Sequence, residues 1–596
     1  MLRCLNRSMM VTCLAASASG FLLACAFPMP PVLAGLEGGS AAWLALIPLL
    51  LVLLQVRPRE GACAGLVAGS VFHLVGLSWL LALRHTWGNL PLTIIAWIGL
   101  ALYCSLYVAA FGYGVATAAG ILREKGLPGR IAILLLAGVL WVGLEYLRST
   151  LFTGFPWNLL GASQYANPVL LQPARWAGVY AISLLIVLFN AALALTVQRV
   201  WQEVRGHRKR SRVHVELMLG LLALALSWSM GMRALQRLNR EVAADSIAVR
   251  IALIQPAIPQ VQKWSEAHAH EIETVLAEQS ELALLSRPDL VIWPETATPG
   301  MLRFDNVSRA LAEAVVGDGA ALLVGTMDAD PDTRAYFNSA LLVGTSGRIL
   351  ASYNKRHLVP FGEYVPLTRW VPVLERFAPL GFSCAPGAAD QELLVLPMPV
   401  GDVRASTLIC FEDVFPYLAR RDVRNGAQLL VNLTNDGWFD GTAAARQHLA
   451  LAVVRAVENQ VPMVRAANTG VSAFIDRGGR IQEVPGTRTE GSRGWGVRVV
   501  SIPPAAKRLT PYTRYGDWLL AIPCALGTVL FCIWGIVKIN SNVIRVPAIT
   551  GCPIITGGSA RHYRKDVARG RSRPDRIRGG DKKAGQSGNH VRDGAS

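Results

Sequence analysis

The sequence is poor in charged residues for its length. Asp, Glu, Lys and Arg together make up 16% of the 596 residues, whereas 52% are hydrophobic. Soluble domains carry about 25% charged residues, so this composition excludes an ordinary soluble protein. The charges that are present are unbalanced, with 58 Lys and Arg against 40 Asp and Glu and a formal net charge of +18.

Metal-binding and nucleotide-binding patterns are also missing. The ten cysteines include no Cys-x-x-Cys pair, and no His/Cys cluster has the spacing of a zinc site. No glycine-rich loop has the pattern that cradles nucleotide phosphates. We therefore predict no metal and no cofactor. Only Cys384 and Cys410 lie within residues 235–515, and in an oxidising compartment these two can form a disulfide.

The sequence contains eight long apolar segments. Each is roughly long enough to cross a hydrocarbon core of about 30 Å, so we predict eight membrane-spanning helices. The first run contains FLLAC (21–25), which resembles the end of a lipoprotein-type signal peptide, and cleavage there is an alternative. The eight runs are residues 8–27, 40–56, 62–83, 91–121, 131–147, 177–199, 214–234 and 516–538.

Basic residues are concentrated in every second loop. Arg3 and Arg7 precede the first run, and the other basic loops follow the second run (Arg57, Arg59), the fourth run (Arg123, Lys125, Arg130) and the sixth run (RGHRKRSR, 205–212). The loops between them carry few basic residues. Because Lys and Arg accumulate on the cytoplasmic side, we expect both termini to be cytoplasmic and the segment after the seventh run to lie outside.

The chain is thus predicted to have four parts. Residues 1–234 contain transmembrane helices 1–7, residues 235–515 form an extracytoplasmic domain, residues 516–539 form the last span, and residues 540–596 form a basic, disordered cytoplasmic tail. Twelve Lys and Arg less four Asp give the tail a net charge of +8. Contact of this solvated tail with anionic lipid explains its charge without a nucleic-acid partner.

The external segment has the pattern of an α/β domain. Short β-branched runs replace the long apolar ones, as in VRIALIQP (249–256), DLVIWPET (289–296) and ASTLICFE (405–412). Helical patterns such as residues 263–286 and 443–459 lie between several of these runs. Buried strands that alternate with helices predict a layered α/β domain around one core.

Three chemically active side chains follow predicted strands. Glu295 follows VIWP, Lys355 follows ILASYN, and Cys410 follows ASTLI. The carboxyl ends of strands line the active crevice in α/β sheets. A thiol of pKa about 8.5 is mostly protonated at neutral pH, but a carboxylate can take its proton when an ammonium stabilises the thiolate. We predict a nucleophilic site made of these three residues.

Four motifs carry a family resemblance. WPET (293–296), YNKRHLVPFGEYVP (353–366), CFE (410–412) and NLTNDGWF (432–439), in this order, resemble the carbon–nitrogen hydrolase (nitrilase) superfamily. The membrane spans on both sides resemble the apolipoprotein N-acyltransferase family within it, over roughly residues 10–540.

The resemblance implies a fold and a reaction. The fold is a multi-span α-helical membrane domain plus an extracytoplasmic nitrilase-like αββα sandwich. In the reaction, a membrane phospholipid donates an acyl group to the cysteine as a thioester. The N-terminal amine of diacylglyceryl-cysteine on an apolipoprotein then accepts it. The implied protein is a cofactor-free, multi-pass monomer of the bacterial inner membrane.

The resemblance also assigns roles to residues of this chain. Glu295 resembles the general base, Lys355 the cation that stabilises the oxyanion, and Cys410 the nucleophile. Glu363, in the PFGEYVP loop, resembles a further essential glutamate of the family. Glu295, Lys355 and Cys410 form the predicted catalytic set, and Glu363 is predicted to support it.

Three more positions match or depart from the family pattern. Glu412 and Trp264 match two further family positions, and we expect them to support the site. Phe411 stands where the family often has tyrosine, so a phenol hydroxyl has no counterpart here. We interpret the next acid, Asp413, as structural, and the Asn435–Trp438 turn as shaping the site wall.

Other interpretations stay open. A membrane-anchored nitrilase-type amidase would hydrolyse a soluble or lipid amide, with water resolving the thioester. A cysteine–histidine hydrolase would use His357 or His448 as its base, and a non-enzymatic scaffold would need neither. Glu145 and Arg148, near the outer end of the fifth run, fit a functional intramembrane pair or an i,i+3 pair that anchors helices.

Overall fold

The computed structural model describes most of the chain. The described residues are 7–207, 213–366, 368, 373, 383–485, 492–504 and 508–544. Residues up to 539 form one compact unit. Most of the predicted tail, residues 545–596, lies outside the described residues.

The first part of the chain is helical. Its longer helices are rich in apolar residues, which suits segments that have no water to solvate their backbone. The helices are α1 (Arg7–Cys25), α2 (Ala42–Ala45), α3 (Ile47–Leu53), α4 (Pro58–Gly76), α5 (Arg84–Trp87), α6 (Leu90–Leu122), α7 (Gly126–Thr150), α8 (Pro168–Leu171), α9 (Ala174–Ala177), α10 (Val179–Val204) and α11 (Val215–Asp245).

Four helical stretches in the described ranges are long and apolar enough to cross a membrane. They are Leu90–Thr150, Val179–Val204, Val215–Asp245 and Pro511–Gly535, and a bent pair, Pro58–Gly76 with Ser78–Thr86, makes a fifth if it counts as one span. Within the longest stretch, α6 and α7 are separate helices that pack against each other. Met9–Cys25 and Gly39–Leu53 are shorter apolar helices. The count of eight spans stays a prediction.

The second part of the chain alternates strands and helices. Its helices are α12 (Ala269–Leu284), α13 (Asn306–Gly317), α14 (Pro416–Arg424) and α15 (Ala444–Asn459), followed by α16 (Pro511–Tyr515) and α17 (Ala521–Ile544). Its strands are β1 (Ile247–Gln255), β2 (Leu290–Trp293), β3 (Ala321–Ala329), β4 (Tyr336–Val343), β5 (Ile349–Asn354), β6 (Leu394–Leu396), β7 (Val403–Ile409), β8 (Leu429–Thr434), β9 (Met463–Ala467), β10 (Ala473–Ile475), β11 (Ile481–Glu483) and β12 (Gly494–Ile502).

The twelve strands form two six-stranded sheets. Their orders are β12-β1-β2-β3-β4-β5 and β11-β10-β9-β8-β7-β6. In the first sheet β1, β2 and β3 are parallel, and β4 and β5 continue as antiparallel neighbours. In the second sheet β7, β8 and β9 are parallel. The central strands are almost continuously apolar because both faces of each sheet are covered.

Alternate residues of each central strand belong to different apolar layers. In β2, Leu290 and Ile292 pack between the two sheets, whereas Val291 and Trp293 face α12 and α13 on the outside. In β8, Leu429 faces the partner sheet and Leu430 packs on the opposite face. This two-residue alternation is the natural period of a strand. The result is the predicted αββα sandwich, which the structure confirms together with the apolar helices.

Helix α15 lies between the second sheet and the helical part. Its apolar side chains belong to one continuous cluster with side chains of α1, α7 and α10. Glu458, near the end of α15, accepts a hydrogen bond of 2.9 Å from the backbone nitrogen of Val179, which opens α10. Gln447 donates to the carbonyl of Pro28 at 2.8 Å and accepts from the indole of Trp157 at 2.7 Å. The sandwich is thus packed directly on the helical part.

The layer between the two sheets should carry much of the stability of the sandwich. Leu323 on β3 is fully buried there. We expect Leu323→Ala to lower the free energy of unfolding by about 2–5 kcal/mol, because it leaves a cavity. Leu282→Ala on α12, where the side chain is 47% exposed, is the control and should change stability by less than about 0.5 kcal/mol. Thermal unfolding in detergent measures both; an equal loss would contradict this account.

Candidate active site

Strand direction brings two of the predicted site residues to one edge of the first sheet. Glu295 lies two residues after β2, and Lys355 directly follows β5. Because β5 runs parallel to β2 through two antiparallel steps, both carboxyl ends lie at the same edge. Asn338, near the start of the intervening antiparallel strand β4, is brought to this edge from the opposite direction.

Lys355 is the centre of a buried cluster. Its Nζ lies 2.8 Å from Glu363 Oε1 and 3.4 Å from Glu295 Oε1. Asn338 donates to the same two oxygens, at 2.7 Å to Glu363 and 2.8 Å to Glu295. Lys355 is 1% exposed and Glu295 6%. One ammonium and one amide therefore bridge two carboxylates away from bulk water.

The charge state of Lys355 follows from these neighbours. Burial by itself lowers the pKa of a lysine. Here Glu363, Glu295 and Cys410 outweigh burial and raise the pKa of Lys355 above its usual range. Lys355 is consequently an ammonium at neutral pH, as a group that stabilises negative charge must be.

Cys410 begins a tight turn directly after β7. Its backbone has a φ of +51°, a conformation that is uncommon outside glycine and occurs at functional turns. Burial, followed by the charge of Glu295, raises the pKa of its thiol, whereas Lys355 and a hydrogen bond with Thr434 lower it. The resting residue is a protonated thiol within electrostatic reach of both Glu295 and Lys355.

Glu412 ties the cysteine turn to the loop that carries Lys355. It is fully buried. Its two carboxylate oxygens accept hydrogen bonds of 2.7–3.0 Å from Tyr353 Oη and from the backbone nitrogens of Arg356, His357 and Ile409. Since Ile409 precedes the cysteine and Arg356 follows the lysine, Glu412 sets the distance between the two sheets at the site.

The helical part contributes a wall of the site. The ring of Phe411 stacks on Trp157 with a centroid distance of 6.3 Å and meets Phe415 edge-on at 5.1 Å. The Phe ring thus packs as an apolar contact at the position where tyrosine is common. Trp264 is 44% exposed on the turn before α12, and its functional role stays a prediction.

Glu145 and Arg148 hold the loop that carries Trp157. Glu145 accepts a hydrogen bond of 2.7 Å from the backbone of Leu160. Arg148 donates to the carbonyls of Phe155 and Trp157 at 3.1 and 2.8 Å. These two charged residues of α7 thus shape the wall against which Phe411 packs.

The alternative bases have other partners. His448 Nε2 lies 2.7 Å from Asp413 Oδ1, and its Nδ1 lies 3.0 Å from Asp436 Oδ1. Burial and Arg465 lower the pKa of His448, but the two aspartates raise it further, to about 8. A ring flanked on both nitrogens by carboxylates is poorly placed to accept a thiol proton.

His357 is no better suited. Its Nδ1 lies 3.1 Å from the hydroxyl of Tyr417. Burial, with the charge of Lys355, lowers the pKa of His357 to about 4, so it has little affinity for a proton at neutral pH. The disulfide alternative also fails, since Cys384 and Cys410 are both free thiols.

The sequence patterns missed two residues of this cluster. Asn338 opens the apolar run NSALLVGT, and its position beside the carboxylates depends on the antiparallel pairing of β4. Lys263 immediately precedes Trp264, is 4% exposed, and donates to the carbonyl of Glu295 at 2.9 Å. Its near-complete burial is visible only in the fold. Within the described ranges, no group of three or more His, Cys, Asp and Glu side chains has a metal-site arrangement.

Family models match most of the chain. The apolipoprotein N-acyltransferase N-terminal domain matches residues 19–192, and the carbon-nitrogen hydrolase domain matches residues 250–512. A curated apolipoprotein N-acyltransferase of Geobacter metallireducens is 34% identical over 526 residues, which cover 85% of this chain and 92% of the relative. The chain belongs to the apolipoprotein N-acyltransferase family. It therefore combines the family's helical domain with an enzyme domain of the carbon–nitrogen hydrolase superfamily.

Two further curated relatives agree with this assignment. Apolipoprotein N-acyltransferases of Agrobacterium fabrum and Nitrosomonas europaea are 36% and 33% identical, over 72% and 79% of this chain and 77% and 88% of their own lengths. Among solved structures, a mutant of a Nesterenkonia AN1 amidase of the nitrilase superfamily is 21% identical, with a TM-score of 0.33, over 45% of this chain and 93% of its own. Family membership and the apolar helices indicate a multi-pass protein of the inner membrane.

The four hydrogen bonds of Glu412 should be separable by mutation. We expect Tyr353→Phe, which removes one of them, to lower the free energy of unfolding by about 1–2 kcal/mol. Glu412→Ala removes all four and strands three backbone donors, so a loss of about 3–5 kcal/mol is expected. Thermal unfolding in detergent measures both variants. Equal losses would show that the carboxylate does not join the turn to the loop.

Proposed function

We propose that this protein transfers a fatty acyl group from a membrane phospholipid, through a thioester on Cys410, to the N-terminal amine of diacylglyceryl-cysteine on an apolipoprotein. The observation that carries the proposal is the buried contact between Lys355 and Glu295, with Cys410 on the turn after β7 near enough for both charges to act on its thiol. The name shared by the relatives, apolipoprotein N-acyltransferase, supports the same substrates.

In the first half-reaction the thiol becomes a nucleophile. Glu295 accepts the proton of Cys410, and the thiolate attacks the carbonyl carbon of a phospholipid ester. Lys355 stabilises the oxyanion of the tetrahedral intermediate. The carbon–oxygen bond then breaks, the departing lysophospholipid oxygen takes the proton from Glu295, and a thioester remains.

In the second half-reaction the lipoprotein amine resolves the thioester. The neutral amine attacks the thioester carbonyl, and Glu295, again a carboxylate, accepts the proton that the nitrogen loses. The carbon–sulfur bond breaks, an amide forms, and the thiolate recovers the proton from Glu295. Atoms and protons balance over the two steps, and no external cofactor enters.

The surroundings of the site suit this chemistry better than hydrolysis of a soluble amide. A thioester lasts until an amine arrives only if water is kept away from it. The cluster is buried, and the ring of Trp157 from the helical part closes over Phe411 beside the cysteine. Packing of the sandwich on apolar helices also keeps the thiol close to both lipid substrates.

The proposed topology places the sandwich at the outer surface of the inner membrane. The alternation of basic loops supports cytoplasmic termini and an external segment between the last two spans. In that position the site faces the outer leaflet, where a lipoprotein anchored by its diacylglyceryl group can reach it.

The thioester can be observed directly. Purified full-length protein incubated with a phospholipid is expected to gain one acyl mass on the peptide that contains Cys410. The peptide with Cys384, the other thiol of the sandwich, serves as an internal control and should gain none. Cys410→Ser and Glu295→Gln should abolish the modification. Absence of the acyl mass in the unsubstituted protein would contradict the proposal, and release of the acyl group by water as fast as by an amine acceptor would favour an amidase.

The topology has an independent test. Arg498→Cys lies on an exposed position of β12, and Lys125→Cys lies in the exposed turn between α6 and α7. In cells with a permeabilised outer membrane, we expect a membrane-impermeant maleimide to label the first cysteine and to label the second only after the inner membrane is opened. Mass spectrometry of the labelled peptides identifies each site. The reverse pattern would contradict the proposed orientation.

A further inference from the structure

A second lysine lies beside the cluster without a role in the reaction as described. Lys263 is 4% exposed and points its Nζ at the carbonyl oxygen of Glu295, 2.9 Å away. A lysine is rarely buried so completely unless a partner holds it. Its neighbour Trp264, by contrast, is 44% exposed. The chain therefore turns sharply here and directs the ammonium inward.

The backbone that Lys263 contacts is tightly constrained. Glu295 lies between Pro294 and Thr296, and Thr296 has a φ of +46°. A Cβ added at Gly325, on the neighbouring strand, would lie 2.2 Å from the carbonyl oxygen of Pro294 and 2.7 Å from the Cα of Glu295. This segment thus lies against β3 with no space to spare. The hydrogen bond from Lys263 to the carbonyl of Glu295 further restrains the backbone from which the Glu295 side chain extends.

The charges of the pocket are unbalanced without Lys263. Glu295 and Glu363 carry two negative charges, and the ammonium of Lys355 offsets only one of them. Asp436, a further acid that acts on Cys410, is left out of this count because it is paired with Arg465 at 2.9 Å. Moving the thiol proton to Glu295 keeps this net charge of −1 and places negative charge on sulfur. A second ammonium makes the pocket neutral before and after the transfer.

Lys263 is close enough to act on these groups. Burial lowers its pKa to about 7, and the charges of Glu295 and Cys410 oppose that decrease. Lys355 lowers the pKa of the Cys410 thiol, and the charge of Cys410 in turn acts on Lys263. Lys263 is thus a weaker second cation that is partly protonated near neutral pH.

We propose that Lys263 is a positioning residue of the acyl transfer, which holds the backbone of Glu295 and supplies the second positive charge that favours the thiolate of Cys410. This inference rests on the proposed function for its reaction. Two observations support the inference: the hydrogen bond from Lys263 to the carbonyl of Glu295, and the net negative charge of the pocket without Lys263.

The rate at which iodoacetamide alkylates Cys410, followed from pH 6 to pH 10 in the full-length protein, tests the inference without substrate. We expect Lys263→Met to slow alkylation at pH 7 by roughly three- to tenfold, the effect of one nearby buried charge. The difference should shrink well above pH 7, where the ammonium of the unsubstituted protein loses its proton. Lys263→Arg keeps the charge and should stay within about twofold at pH 7.

Arg498→Met is the charge-matched control, because it removes one positive charge from an exposed position of β12. It should leave the alkylation profile unchanged. Thermal unfolding identifies variants that do not fold. If Lys263→Met is one of them, Lys263→Gln, which keeps a donor for the carbonyl but loses the charge, is measured in the same way.

An alkylation profile that is the same in folded Lys263→Met or Lys263→Gln as in the unsubstituted protein would overturn the inference. So would equal slowing by Lys263→Arg and Lys263→Met, which would indicate a packing role alone. Neither result would contradict the proposed function, because acylation of Cys410 by phospholipid is measured in a separate experiment. Conversely, Lys263→Met could slow alkylation of Cys410 although phospholipid does not acylate the unsubstituted protein. Lys263 would then still act on the thiol, but in a reaction other than the proposed acyl transfer.

Discussion

The ion cluster around Lys355 is the interaction on which the rest of the site depends. An ammonium that is 1% exposed is stable only if carboxylates and hydrogen bonds replace its lost water. Glu363 and Glu295 supply the carboxylates, and Asn338 bridges them. In the proposed reaction Glu295 becomes neutral for part of the cycle, and Lys355 then still has a carboxylate partner, because its closer contact is with Glu363. The contacts that make burial of Lys355 possible are thus the same contacts that keep it charged for the proposed reaction.

Two further sets of contacts connect this cluster to the second sheet and to the helical part. Glu412 joins the end of β7 in one sheet to the loop after β5 in the other, so Cys410 and Lys355 cannot separate without breaking buried hydrogen bonds. On the opposite side, Arg148 holds the carbonyl of Trp157, whose ring packs on Phe411. The helical part is therefore attached to the residue next to the nucleophile. The apolar helices thus contact the proposed site as well as flanking the sandwich.

The sequence predicted the main features of the fold and the main members of the cluster, and the reasons differ between residues. Glu295, Lys355 and Cys410 each follow an apolar strand, so local pattern and motif resemblance locate them. The αββα layers follow from strand runs that alternate with helices. Asn338 and Lys263 escaped prediction because nothing near them in the chain marks them as polar groups in a pocket. Their positions depend on strand pairing and on a turn that buries a lysine, which are long-range consequences of folding.

The acids next to Cys410 in the sequence are compatible with its proposed role as a nucleophile. Asp413 is held by His448 at 2.7 Å and by Arg465 at 3.0 Å, so its negative charge is offset away from the sulfur. Glu412 uses both oxygens on donors of the neighbouring loop. Glu295 is the carboxylate with the largest influence on the thiol. Glu412 and Asp413 are thus held by other partners, and Glu295, which comes from a different part of the chain, is the acid available for the proposed proton exchange with the sulfur.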